Sequence, residues 1–571
     1  MGNLERVDRR SFLFAAAGAL TAPVVPGIET KPATKPSRPR ARRLLVNWDG
    51  SMIHCFGRAA LGNPDGPLTR EQFVSLVFTP LDEKAVDAVL FSFGSGNVAE
   101  YQSNVLEWPG QADQFRFPET RNWHGTLEVD PSDQYRNPRA LADAGANPPA
   151  VIVEECHKRG IDAFVSLRMN DCHDGQHARG KLPNPELATF KRQNPDWLVP
   201  DLDWWTALNF AHPRVRSLKL RVIEEFFDRW DFDGIELDWL RHTLYFPRGT
   251  EVENTHHLTA LMRKVRDSLK RRAKKRGRPI EVAVRIPERV DWCLAGGFDI
   301  RTWIAEDLVD ILILGQGLTE LPTLKEFRSL MSNRQLPVYP CMTTYGNGYR
   351  IYPEDVVRGN AANLWRDGAD GLSTFNWFFY GDWRRSLLGQ IASPTRLPGL
   401  DKQHLLVQRV EAPRRGPGSD YVRFNTQSRA PALPVKLSVG TPKMLSIPLG
   451  ADCSPGQRHP ATAKLYIAFE FLGNRDELEL TLNGHRLEVN TDTEQLQTRP
   501  VIRHIEIPPD QGLLGVPATR SMDVSFDGLR IDVPVKILRS GHNQMAIELR
   551  RRTPGIEHPL RMLRVELATR Y

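Results

Sequence analysis

Sulfur is scarce in this sequence. Six cysteines, at 55, 156, 172, 293, 341 and 453, are spread over 571 residues, and no two form a C-x-x-C pair. That excludes a disulfide-built scaffold and a zinc ribbon. One or two disulfides are compatible with the count, and spacing alone does not pair them. A glycine-rich phosphate loop, a G-x-S-x-G elbow and an H-E-x-x-H pair are also missing, so three common catalytic or nucleotide-binding designs lack their anchor. No segment offers the roughly 20 apolar residues of a membrane helix. The formal charge is +7, but residues 1–43 hold nine Lys/Arg against three Asp/Glu, a local +6, which leaves residues 44–571 near +1. An evenly basic body of the nucleic-acid-binding kind is excluded, and no nucleic-acid partner is expected.

What is present begins with "VDRRSFLFAAAGALTAP": Arg9-Arg10, then Phe12-Leu13, then a short Ala-rich run. This resembles a bacterial twin-arginine export signal, with Phe14 where the commonest pattern has Lys. The resemblance implies a signal peptide over residues 1–22, no stable membrane span after its removal, and a periplasmic or extracellular protein. Residues 23–43, rich in Pro and Lys/Arg, read as a disordered linker.

Hydrophobic residues make up 40% and charged residues 25% of the chain, an ordinary globular balance with length for two or three domains. Eight short β-rich runs follow: residues 43–49, 85–94, 161–171, 234–239, 280–287, 309–316, 336–343 and 371–378. Helical patterns lie between them at 149–160, 213–230, 255–277, 299–308 and 353–368; the second repeats Leu218, Val222, Ile223, Phe226 and Phe227 at a 3.6-residue period. Strand–helix alternation implies parallel strands with crossovers, and eight units predict a (β/α)8 TIM barrel over 44–400. A doubly wound open sheet is the alternative, but no G-x-G-x-x-G follows the first strand. The largest insertions are 95–148 and 172–212. Beyond 400 the pattern turns to short strands with turn signals such as Asn483-Gly484. Residues 401–571 therefore read as an accessory antiparallel β-sandwich, and "LRSGHNQMAIEL" (538–549) resembles the late hairpin of jelly-roll modules on carbohydrate enzymes.

Two acids stand inside the fourth run, "DFDGIELDWLRH" (231–242). Strand alternation turns Ile235 and Leu237 to the helix layer, and Glu236 and Asp238 into the barrel. Asp238, last on the strand, should stand at the C-terminal mouth where these barrels do chemistry. Glu236, one layer deeper, should pair with Arg168 of the third run or Arg285 of the fifth and orient the layer above, because a buried carboxylate needs a partner.

The stretch 212–242 resembles the signature of glycosyl-hydrolase-like family 10 barrels and related bacterial glycosidases, with His212-Pro213-Arg214-Val215-Arg216 at the helix start and Asp233-Gly234-Ile235 before Asp238. The resemblance covers the barrel and implies hydrolysis of glycosidic bonds. The chitinase pattern D-x-x-D-x-D-x-E laid over Asp233, Glu236 and Asp238 ends on Leu240, so that chemistry is not supported. The α-amylase pattern matches Asp233, Gly234, Asp238 and His242, but Glu236 replaces Arg.

Glycoside hydrolysis needs two carboxyl groups flanking the scissile bond. Asp238 is expected as nucleophile or base and Glu288, after the fifth run, as acid; Glu320 and Asp382 are other candidates. Trp48, Trp239, Trp292, Tyr345, Trp377 and Trp383 lie at or past strand ends, where aromatic faces could stack on sugars. Arg168, Asn170, Asp171, Arg241, His242, Arg285, Gln316 and Asn376 are candidate hydroxyl or anion contacts, with Arg241 and His242 suiting a uronate or sulfated unit. "NDCHDGQH" (170–177) spaces His173 and His177 as zinc ligands on a helix would be, though Gly175 argues for a loop. "KRRAKKRGR" (270–278) ends a helix at the barrel bottom and reads as a solvated face. The reading is an exported glycoside hydrolase acting on a poly- or oligosaccharide, with no metal and no cofactor. The rivals are a glycan-binding protein on a degenerate barrel and a metal-dependent hydrolase using 171–177. The sugar and the oligomeric state are not legible.

Overall fold

The computed structural model describes residues 41–571 except 49–52, 54–67, 111–130, 176–185, 201–205, 316–321, 332–334, 344–351, 376, 378–381, 407–432, 451–452, 454–457, 490–499, 508–517 and 526. The predicted signal and nearly all of the linker, together with Gln316, Glu320, Tyr345, Asn376 and His177, lie outside the described residues.

All eight runs form strands: β1 Leu44–Trp48, β2 Ala88–Ser92, β3 Asp162–Arg168, β4 Gly234–Asp238, β5 Glu281–Ile286, β6 Ile311–Leu314, β7 Val338–Met342 and β8 Leu372–Thr374. Each pairs with the next in parallel, and β1 also pairs with β8, closing the barrel. Alternate residues separate two cores. Leu44, Val46, Trp48, Ile235 and Leu237 join the large core under the helices. Leu45, Leu90, Phe164, Ala283, Ile313, Tyr339, Cys341 and Phe375 fill the barrel itself. Asn47, Ser166, Glu236 and Arg285 share the inward parity. Each aliphatic side chain so buried contributes about 1.5–3 kcal/mol.

The N-terminal floor of the barrel carries a repeated aspartate. An aspartate precedes or opens five strands: Asp87, Asp162, Asp233, Asp310 and Asp370. Four of them accept a backbone N–H beside the preceding strand: Arg43 to Asp87 at 2.7 Å, Ala163 to Asp233 at 2.8 Å, Val282 to Asp310 at 2.9 Å and Val338 to Asp370 at 2.7 Å. The fifth, Asp162, accepts Arg42 Nε at 2.9 Å, and the same buried guanidinium also bonds Glu281 and lies 5.1 Å over the Phe164 ring. The basic run at 270–278 belongs to this face: Arg272 pairs with Asp228, Arg276 with Asp231 and Arg278 with Asp233. Gly234 is required here, because an added Cβ would stand 2.4 Å from the Phe164 ring and 2.7 Å from the Glu281 carbonyl.

Helices cover the outside, including the predicted ones at Pro148–Lys158, Pro213–Arg229, Thr255–Arg276, Ile300–Ala305 and Glu354–Arg366. The helix Arg70–Phe78 was missed, although Thr69 and Gln72 form a capping box. The insertion 95–148 contains another, Pro131–Asp143.

The C-terminal part holds two antiparallel sheets around one apolar core. One contains β9 Lys402–Leu405, β10 Val435–Lys436, β12 Thr462–Glu470, β17 Asp527–Val533 and β19 Arg561–Arg570. The other contains β11 Lys443–Leu449, β13 Glu477–Leu482, β14 His485–Leu487 and β18 Gly541–Arg551; β15 Pro500–Ile507 and β16 Ala518–Ser525 form a separate ribbon. The sandwich meets the barrel through β9, packed on the helix Glu354–Arg366, where His404 Nδ1 lies 3.0 Å from Asn363 Oδ1. Cys156, Cys172, Cys293 and Cys341 are buried free thiols.

Candidate active site

The acid pair lies inside the C-terminal half of the barrel, with different surroundings for each acid. Asp238 Oδ1 accepts the backbone N–H groups of Leu240 and Arg241, both at 3.0 Å, and Oδ2 accepts Arg285 Nη2 at 2.5 Å. Glu236 Oε2 accepts Asn47 Nδ2 at 2.5 Å; that amide also donates to Ser166 Oγ at 3.1 Å. Glu236 Oε1 has no hydrogen-bond partner among the described residues, and Arg285 Nε stands 3.9 Å from it. The expected Glu236 partner is thus Arg285 at a distance, not Arg168. Glu236 is 0% exposed. Burial pushes its carboxyl up to about 7, opposed by the Arg285 charge and reinforced by Asp238. Arg285 is itself fully buried, with its guanidinium 4.0 Å over the Phe375 ring. Burial works against its charge, but Asp238 and Glu236 outweigh that and raise its pKa.

A second chain of contacts joins the ends of β3 and β4. Arg168 Nη1 donates to Asp171 Oδ2 at 2.7 Å, and Asp171 Oδ1 lies 2.7 Å from His173 Nδ1. His173 Nε2 lies 2.9 Å from Arg241 Nη2. Arginine only donates, so Nε2 accepts and Nδ1 carries the proton toward Asp171. Burial opposes ionisation of Asp171, but His173 and Arg168 outweigh it and hold the carboxyl well below its usual range. His242 stands T-shaped to His173 and accepts the Cys172 N–H at 3.2 Å through Nδ1. Burial drives its pKa well down, which keeps it neutral.

Asp171, His173 and His242 place one ligand atom each within 4.8 Å of one another. Their donor–acceptor order is that of a proton-sharing chain. The His173 Nε2 lone pair faces Arg241, its Nδ1 proton faces Asp171, and the His242 Nδ1 lone pair faces a backbone N–H. Arg168 and Arg241 add positive charge beside any cation. These three residues therefore fit a divalent metal poorly.

The remaining candidates divide. Glu288 is buried just past β5. Asp382 and Trp383 open the helix Asp382–Ile391, and their side chains lie outside the described set. Trp48, Trp239 and Trp377 are not at the mouth; all three are buried in the outer core. Trp48 and Trp239 have outward parity, one residue after inward Asn47 and Asp238, and Trp239 packs among Phe210, Tyr245, Phe298 and Trp303. Trp292 is half-buried with the Arg289 guanidinium 5.5 Å from its ring. Asn170 points to neither sugar nor solvent: its amide donates to the Leu208 and Leu244 carbonyls and accepts the Leu208 N–H, tying insertion to strand. Phe375 and Asn47 were missed, though inward parity marks both.

Behind the mouth, fully buried Lys219 donates to the Gly96 carbonyl at 2.6 Å and Asn97 Oδ1 at 3.1 Å, and Asn97 Nδ2 holds the Asp171 carbonyl at 2.8 Å. Burial, then Lys191 nearby, lowers Lys219 to about 7. Between that value and the unfolded one near 10.5 the unfolded chain binds the extra proton, so this group's contribution to stability improves as pH rises. Urea unfolding of wild type and Lys219→Met should show wild type gaining roughly 3–5 kcal/mol on the variant between pH 7 and 10; parallel pH curves would refute the assignment.

No family model matches the chain, and no curated protein does. Among solved structures the chain is similar to the glycoside hydrolase domain of PgaB (BpsB) from Bordetella bronchiseptica, at 10% identity and TM-score 0.38, covering 62% of this chain and 99% of that one. It is similar to the catalytic domain of chitinase B from Arthrobacter TAD20 at 10% identity and TM-score 0.37, covering 62% and 95%. A family GH18 chitinase from Chromobacterium violaceum gives 9% identity and TM-score 0.32, covering 92% and 91%. What the mouth does therefore rests on its own side chains.

Proposed function

We propose that the protein is an exported glycoside hydrolase acting on a poly- or oligosaccharide through carboxyl groups at the barrel mouth. The observation that carries this reading is the acid pair on β4. Glu236 and Asp238 point into the C-terminal half of a closed (β/α)8 barrel, one held near its neutral form by burial and the other tied to a guanidinium. A carboxyl raised toward neutrality beside one paired with a guanidinium is a usual basis of acid–base work at one site. Glu288 supplies a third carboxyl past the neighbouring strand. The β-sandwich supports the barrel or binds the same glycan.

Purified protein should cleave at least one member of a panel of neutral, acidic and N-acetylated polysaccharides. Asp238→Asn should lower kcat/KM on it by about 10²-fold or more, the range of a displaced charge in a catalytic site. Glycan binding without cleavage would replace this reading with the glycan-binding one, and full activity in Asp238→Asn would remove Asp238 from the chemistry.

A further inference from the structure

Resting on the hydrolase reading above, we infer that Glu236 is the proton-transferring acid of the site and that Asp238 is a positioning residue, the reverse of the roles their places along the strand imply. Three donors hold Asp238, two backbone N–H groups on one oxygen and Arg285 on the other. Glu236 is anchored at one oxygen by Asn47, and its other oxygen has no donor among the described residues although the side chain is 0% exposed. The 3.9 Å to Arg285 Nε is too long for a hydrogen bond. Asn47 Oδ1, Arg285 Nε and Arg285 Nη1 are also buried without partners among the described residues.

A buried polar atom without a partner costs about 1–3 kcal/mol. Four such atoms on three strands, Glu236 Oε1 and Asn47 Oδ1 as acceptors and Arg285 Nε and Nη1 as donors, are the hydrogen-bonding groups that hydroxyl and ether oxygens would satisfy. Only Glu236 among them can give a proton. The ionisable groups that face it are Arg285 on β5, Asp238 on its own strand and Cys341 on β7. Burial leaves its carboxyl up at about 7, so a proton is available near neutral pH.

In the step, the Glu236 proton passes to the glycosidic oxygen as the bond from that oxygen to the anomeric carbon breaks, its electron pair staying on oxygen. A water oxygen forms the new bond to the carbon. The proton that water sheds is assigned to Glu288, the buried acid just past β5, which passes it to solvent as solvent returns one to Glu236.

The test uses full-length protein and two glycosides of one sugar, taken from whichever glycan wild type cleaves: one with dinitrophenol as leaving group, one with methanol. Dinitrophenolate leaves without a proton. Glu236→Gln keeps the shape and the Asn47 contact, and should lose about 10³-fold in kcat/KM on the methyl glycoside but less than about 10-fold on the dinitrophenyl one, as loss of a general acid predicts. Asp238→Asn should lose similarly on both. It should also move the basic limb of the pH profile to lower pH, because the negative charge that holds Glu236 up is gone and Arg285 is freed. Equal losses on both leaving groups in Glu236→Gln, or leaving-group dependence in Asp238→Asn instead, would overturn the assignment. Infrared titration separates this from the hydrolase reading. A protonated-carboxyl band that disappears on raising pH through neutrality and is absent in Glu236→Gln supports the Glu236 role even if no glycan is cleaved. Absence of that band in wild type at pH 5.5 refutes it even if glycans are cleaved.

Discussion

Arg285→Met should destabilise the protein by about 3–5 kcal/mol, the cost of leaving a buried charge without its partner. Arg285 is fully buried, bonds Asp238 at 2.5 Å and stands 3.9 Å from Glu236. Methionine fills much of the space beside Phe375, so the loss is electrostatic more than a packing defect. The loss should depend on pH. Without the guanidinium the Glu236 carboxyl, already raised by burial, rises further above its unfolded value, so the folded variant binds more protons than the unfolded chain at neutral pH. Its stability then falls as pH rises, and the deficit against wild type should be larger at pH 8 than at pH 5. Urea midpoints at the two pH values decide this. A deficit below about 1 kcal/mol, or one equal at both, would mean the acid pair does not depend on Arg285.

Gly359→Ala should also be strongly destabilising, against the usual sign. Inside a solvent-facing helix, alanine is favoured over glycine by about 1 kcal/mol. Gly359 lies in the helix Glu354–Arg366 where β9 crosses it, and an added Cβ would stand 2.2 Å from the Gln403 carbonyl oxygen and 2.7 Å from its carbon. Both atoms are backbone, so no side chain can swing away. Overpacking of this kind costs about 1–3 kcal/mol, more where a strand must move, and the alanine preference recovers part of it. We expect a net loss of about 2 kcal/mol and a lower Tm. A raised Tm would show that β9 does not sit on that helix.

The barrel was legible because eight apolar runs of strand length alternate with helical periods, and burial on both faces leaves few other solutions. The same parity that placed Glu236 and Asp238 also places Trp48 and Trp239. Their place at strand ends suggests sugar platforms, but counting by twos from Val46 and Leu237 sends them to the outer core. Asn47 and Phe375 have the inward parity and were overlooked. The chain from Arg168 through Asp171 and His173 to Arg241 was not legible in principle, because it joins two loops whose approach no spacing encodes. The five floor aspartates were readable as a repeat, and Asp233, which matched two catalytic patterns by position, belongs to them at the end opposite the mouth.

Arg42 stands two residues before β1, yet it fastens Asp162 of β3 and Glu281 of β5, and its carbonyl accepts the Tyr339 hydroxyl at 3.0 Å. A chain shortened to just before this residue would keep the cylinder bolted shut at its base. A cut after it would take away the side chain that ties β3 to β5 across the base, so closure should weaken from Arg42 onward.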